Sequence, residues 1–208
     1  METSISVYII GMIATTVLYV SGDKYDKHIS LFAFAFIQVQ LAEFFMWYDE
    51  DCTKDINHIS TIFLYIVFAL QCFSIIIGAI IFKTTTIKIN VLYGILIIYI
   101  IILALSTIYK YSKYKTEKKC SRNKNNHPFL IWDMDINMIY VLYYPILLIF
   151  CFMKDFNKVI ILVFVSGLLL LHSLYNVKTY IREFESIWCM RNVSLPIILL
   201  IYNYVKVY

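Results

Sequence analysis

Glu43 and Arg191 are the side chains with the clearest chemical potential. Each interrupts a stretch otherwise free of Asp, Glu, Lys and Arg, at residues 28–48 and 186–205. A full charge at the centre of a bilayer costs roughly 2.5–3.5 kcal/mol on insertion scales. At 1.5 Å per helical residue, Glu43 lies about 7–8 Å and Arg191 about 6 Å inside the same end of their stretches. An acid and a base at similar depth are expected to pair or to share a wet cavity. Other polar groups gather at that end, with Asn57 and His58 opening span three there. Gln40, Glu43 and Trp47 fall on one helical stripe, His172 and Asn176 are spaced i, i+4, and Trp188 and Asn192 flank Arg191. Three uses of this set compete: an ion pair locking two helices, a site for a solute, ion or proton at Glu43, and an acid–base site using Glu43 and His172. No nucleophile accompanies the last.

The elements that must carry these residues follow from composition. Of 208 residues, 61% are apolar and only 15% charged, and mean hydropathy is +0.74. Soluble domains run about 45–50% apolar and about 25% charged. A soluble domain, a disordered tail and a secreted disulfide scaffold are thereby excluded. Crossing about 30 Å of hydrocarbon takes about 20 residues. Apolar runs at approximately 4–22, 28–48, 57–82, 89–109, 136–153, 159–177 and 186–205 therefore predict seven spans. Runs such as Ile95–Leu103 are apolar on every side, which in lipid requires a helix. The expected fold is all-α: a polytopic transmembrane bundle of seven helices in one domain, residues 1–208. Pro145 and Pro196 are expected to kink spans five and seven at most.

The face bearing the N-terminus is here face A, and the opposite one face B. Ten Lys and Arg fall in face-A segments, seven of them between Lys110 and Lys124, against seven on face B. Under the positive-inside rule this places the N-terminus in the cytoplasm. Trp132 is expected to anchor at the interface. Face-B polar groups in the spans are few, mainly Thr15, Thr16, Asn90 and Asn203. The asymmetry points to a polar pocket opening toward face A.

Other patterns carry less. The basic stretch around Lys110 to Lys124 has a lipid-headgroup reading, and a solvated loop is the plainer one. Cys52 with His58, and Cys120 with His127, lack the spacing of a zinc finger, and neither a metal nor another cofactor is expected. A Cys52–Cys120 disulfide would need face A outside the cytosol, so the charge count predicts a free thiol at Cys52. Cys72 and Cys151 read as small packing residues. A net charge of +4 gives no case for nucleic acid. The partners expected are the bilayer and a small solute or ion, and no oligomeric state follows.

Gln40-Leu41-Ala42-Glu43-Phe44-Phe45-Met46-Trp47 reads Q-x2-E-x3-W, and Ser186-Ile187-Trp188-Cys189 reads S-x-W-C. Together they resemble a group of small seven-span membrane proteins that includes ones encoded by large DNA viruses. The resemblance implies a polytopic membrane protein and a shared constellation of Gln40, Glu43, Trp47, Trp188 and Cys189. The leading expectation is a non-enzymatic, multi-pass membrane protein whose face-A polar pocket binds or moves a solute, ion or proton. A protein that organises a membrane is second, and an intramembrane enzyme third.

Overall fold

The computed structural model describes residues 2–114, 117–122, 130, 132–133, 137–176 and 189–207. Among them there is no strand, and seven helices follow in order: α1 (Glu2–Ser21), α2 (Lys24–Tyr48), α3 (Ile56–Phe82), α4 (Ile89–Tyr114), α5 (Asn137–Cys151), α6 (Phe156–Asn176) and α7 (Leu195–Val207). Four of these, α1 to α4, are long and apolar enough to cross a membrane. At 15 and 13 residues, α5 and α7 are shorter than the runs that predicted them.

Local chemistry sets several boundaries. Asp23 caps α2, accepting from the amides of Tyr25 (2.8 Å) and Asp26 (3.1 Å), while the Asp26 carboxylate accepts from the Asp23 amide. This reciprocal box satisfies amides that the first turn leaves without partners. Asp49 ends α2 and also begins α3, its carboxylate taking the amides of Lys54 (2.9 Å) and Asn57 (3.0 Å). The last apolar run does not form one kinked helix. Residues 189–192 are helical, Val193 and Ser194 turn, and α7 starts at Leu195. Pro196 has no N–H to give the carbonyl of Asn192, which favours a break just before it. Ser194 takes the break, with its own N–H and hydroxyl both on the carbonyl of Arg191.

The hairpin of α2 and α3 is the centre of the molecule. α1 packs on α2, α5 on α3, α6 on α5, and α7 closes the ring against α6, α1 and α2; α4 packs on the outside of α3. Gly78 is what brings α3 so close to α2. A Cβ there would run into Cδ2 of His28, a ring wedged against α3. Lipid tails are as apolar as leucine, so close packing and interhelical hydrogen bonds hold such helices together. The outward surface is apolar: Ile13, Val20, Ile97, Ile101, Leu105 and Ile108 are all exposed.

Candidate functional site

At the face-A end, Asn57 is a hub. It is completely buried at the start of α3. Its Oδ1 accepts from the Ser121 amide (2.8 Å), and its Nδ2 donates to the carbonyls of Ser121, Met46 and Asp49. The Thr61 and Ser121 hydroxyls meet at 2.9 Å, and the Lys119 amide donates to Nδ1 of His58. Residues 117–122 of the α4–α5 connection are thus folded down over the α2–α3 turn as a strap. Cys52 and Cys120 fasten it with a disulfide, Cα to Cα 5.9 Å. The free thiol expected at Cys52 is therefore corrected: the fold brings together two cysteines 68 residues apart, a proximity that the charge count could not register.

Under the strap, Trp132 donates from Nε1 to Oε1 of Glu43 at 3.0 Å. Trp132 is 3% and Glu43 2% exposed. Trp132 is therefore a buried partner of the intramembrane acid, where the sequence predicted an interfacial anchor. It stacks edge-on to Phe68, as does Tyr143, whose hydroxyl donates to Oε1 of Gln71 (2.8 Å). Desolvating a carboxylate is costly, and an indole N–H offsets part of that cost. Asp49 keeps its carboxyl below the usual carboxylate range: burial works to raise it, and the two amides it accepts from, with the positive charges of Lys54 and Lys118, outweigh this.

The face-B end corrects the predicted asymmetry. Lys158, near the start of α6, is only 1% exposed on its side chain and contacts Asp23 (2.8 Å) and Asp26 (2.7 Å). Asn203 of α7 donates to Asp26 at 2.9 Å. One cluster thereby ties α2, α6 and α7. Glu43 and Arg191 are not the only charges enclosed by the bundle; Asp26 and Lys158 sit at helix starts, where sequence alone reads them as loop residues. Nearby, Nε2 of His28 donates to the carbonyl of Ile75 (2.8 Å), and Nδ1 shares a hydrogen bond with the Thr84 hydroxyl (2.7 Å). For Asp23, burial raises the carboxyl, but Lys158 and two backbone amides bring it below its ordinary value.

Between these ends lies a cavity of about 430 Å³. Its walls come from Phe32 and Phe36 of α2, Pro145 and Phe150 of α5, Leu162 of α6, and Pro196 of α7. Its rim includes Leu148 and Val163, exposed by 56% and 55% on the outer surface of the ring. The open space is thus apolar and opens on the outer surface of the ring, whereas a polar space facing A was expected. Both prolines predicted to kink helices line it.

Of the predicted site residues, Asn192 alone lines this cavity. Gln40 is 1% exposed, with neither amide atom hydrogen-bonded. Trp47 and Arg191 are half-buried, and His172 is exposed on α6. Asn176 ends α6, its side chain outside the described residues, as are Trp188 and His127. Cys151 ends α5 and lines the cavity instead of packing mid-span. Among the described residues, no three His, Cys, Asp or Glu side chains are grouped to hold a metal. Sequence reasoning placed Asn57 among the face-A polar groups but missed Trp132 and Lys158 as partners. Their one signal was type: a Trp and a Lys bordering apolar runs.

No family model matches this chain, and neither does any curated protein or solved structure.

Proposed function

We propose that the chain is a multi-pass membrane protein, using all seven helices, that binds a hydrocarbon ligand in the cleft between α2, α5, α6 and α7. The observation that carries this is the cavity of about 430 Å³ with its rim on the outer surface of the ring. Ligand sites commonly enclose 300–1,000 Å³ and are mostly apolar. The expected solute, ion or proton site has less support, because the polar groups described at each end largely bind one another. The earlier resemblance to small seven-span proteins accords with a multi-pass chain.

The Cys52–Cys120 bridge supports an orientation with face A, and hence the N-terminus, in an oxidising compartment. That reverses the orientation favoured by charge, where ten against seven is a narrow margin.

The test uses the full chain in lipid nanodiscs with an alkyl diazirine photoprobe. Labelling should concentrate on the cleft, and Ala33→Trp, which fills it, should abolish that labelling while leaving the outer face of α4 labelled. Labelling of outer faces alone would sink the proposal. It would leave the second reading, a scaffold that organises membrane, which the two locked ends favour.

Pairing of Glu43 with Arg191 also stands as a proposal, supported by their matched depth in the sequence. Glu43→Gln and Arg191→Gln should each lower the unfolding temperature more than most polar changes in the helices. A double mutant that is simply additive would refute direct pairing.

A further inference from the structure

The strap at face A is tied by a bridge whose two sulfurs differ. Beside Sγ of Cys120 stands Nε of Arg122, at 2.8 Å. Beside Sγ of Cys52 is the carbonyl of Glu50, at 3.6 Å. One sulfur thus meets a positive donor and the other an acceptor. The lysines of the strap are already engaged: Lys118 with Asp55 at 2.9 Å, and Lys119 with Glu117 at 3.4 Å and Asp133 at 3.8 Å. Arg122 is exposed, and its described contact is the sulfur. A guanidinium gains little from a neutral disulfide. It gains more from a thiolate, to which it gives a charge-assisted hydrogen bond.

The bridge is also within reach of solution. Cys52 and Cys120 are both half-buried, and Asp51, Thr53 and Arg122 beside them are exposed. Cys52 has φ 54°, in the left-handed region that a residue with a side chain seldom adopts. Exposed or strained bridges are the ones that exchange, and a thiol of low pKa is the better leaving group.

We infer that Cys52–Cys120 is an exchange-active disulfide, attacked by a thiolate from solution at Sγ of Cys52, with Cys120 as the leaving group held by Arg122. The incoming sulfur forms a bond to Sγ of Cys52. The Cys52–Cys120 bond breaks, and its electron pair stays on Cys120 as a thiolate facing the guanidinium. A second thiolate attacks the incoming sulfur and departs with it as a disulfide. Cys52 then keeps the electron pair and takes a proton, beside the Glu50 carbonyl. Two thiols are oxidised and one protein disulfide is reduced. Residues 117–122 are afterwards held by their hydrogen bonds to Asn57, Thr61 and His58, so the face-A end responds to the supply of thiol. This inference is independent of the cleft reading.

The experiment opens the bridge of the full chain in nanodiscs with 2-mercaptoethanol, an uncharged thiol, and maps the products after rapid alkylation. The mixed disulfide should form on Cys52, with Cys120 alkylated. Arg122→Gln should slow opening about fivefold, because the leaving thiolate loses a charge-assisted partner and the rate follows leaving-group pKa only in part. Arg122→Lys should keep most of the rate. High salt, which screens a general attraction for thiolates, should leave the difference in place. A guanidinium that merely braces the strap predicts the opposite sign, since its loss would loosen the bridge and speed opening. Opening unchanged or faster in Arg122→Gln would therefore overturn the inference. So would a difference that salt abolishes, a mixed disulfide on Cys120, or a bridge in the unmutated chain that resists the thiol until the protein unfolds.

Discussion

The two ends of the bundle enclose polar groups by different means. At face A the buried groups are largely neutral, and a connection supplies two of them: Ser121, which meets Asn57 and Thr61 of α3, and Trp132, whose indole reaches Glu43. The connection buries Leu130 and Trp132 in the core, and a covalent bond also holds it. At face B the groups are charged and helix-borne. Lys158, Asp23 and Asp26 come from the first turns of two helices and the cap of one, with Asn203 supporting them. Helices already fixed by packing need no covalent tie, but the charges must stay matched. One end therefore depends on oxidation and the other on charge balance.

The largest effect should come from unbalancing face B. Lys158→Met leaves two carboxylates without their counter-charge, at a cost of about 3–5 kcal/mol. Adding Asp26→Leu should recover much of it. Thermal unfolding of the purified protein reads both, and a harmless single change would mean that Lys158 does not hold this end.

Opening the bridge should come next. Cys52→Ser, or reduction of the intact chain, should cost about 2–4 kcal/mol, within the range for long loops. Proteolysis should then reach the strap near Ser121 while the face-B connections stay protected. Protection unchanged at Ser121 would show that the Asn57 network holds the strap alone.

Acid and salt should separate the ends most finely. Asp23 and Asp49 both have folded-state pKa values below the ordinary carboxylate value. Each contributes stability that is complete above the unfolded value of about 3.9 and is lost as pH falls through the lower folded one. Asp23→Asn and Asp49→Asn should each flatten the acid limb of the stability curve. Salt should weaken the Asp23 contribution more, because its partner is the Lys158 ammonium, whereas Asp49 accepts from backbone amides. Equal salt sensitivity would erase the distinction drawn between the ends.

Much of the helix layout was legible in the chain. Apolar runs predicted seven helices, and α3, for example, spans Ile56–Phe82 where the run gave 57–82. The site was legible in fragments. Glu43 was singled out correctly as a buried acid, yet Trp132, 89 residues away, could not be read as its donor. Asn192 was chosen for its neighbour Arg191, and it lines the cleft for another reason, beside the break at Pro196. Lys158 looked like an ordinary loop lysine because hydropathy averages over a window, and a single buried cation at a helix start barely alters that average.

The sequence by itself determined that this chain is helical and apolar, and roughly where each helix runs, because those properties are sums over neighbouring residues. Only the tertiary structure decided which polar groups meet, that Cys52 joins Cys120, and that the prolines border an apolar cleft. Such outcomes depend on separations of a few ångströms between residues tens of positions apart. Helix packing sets those separations, and no local window of sequence contains them.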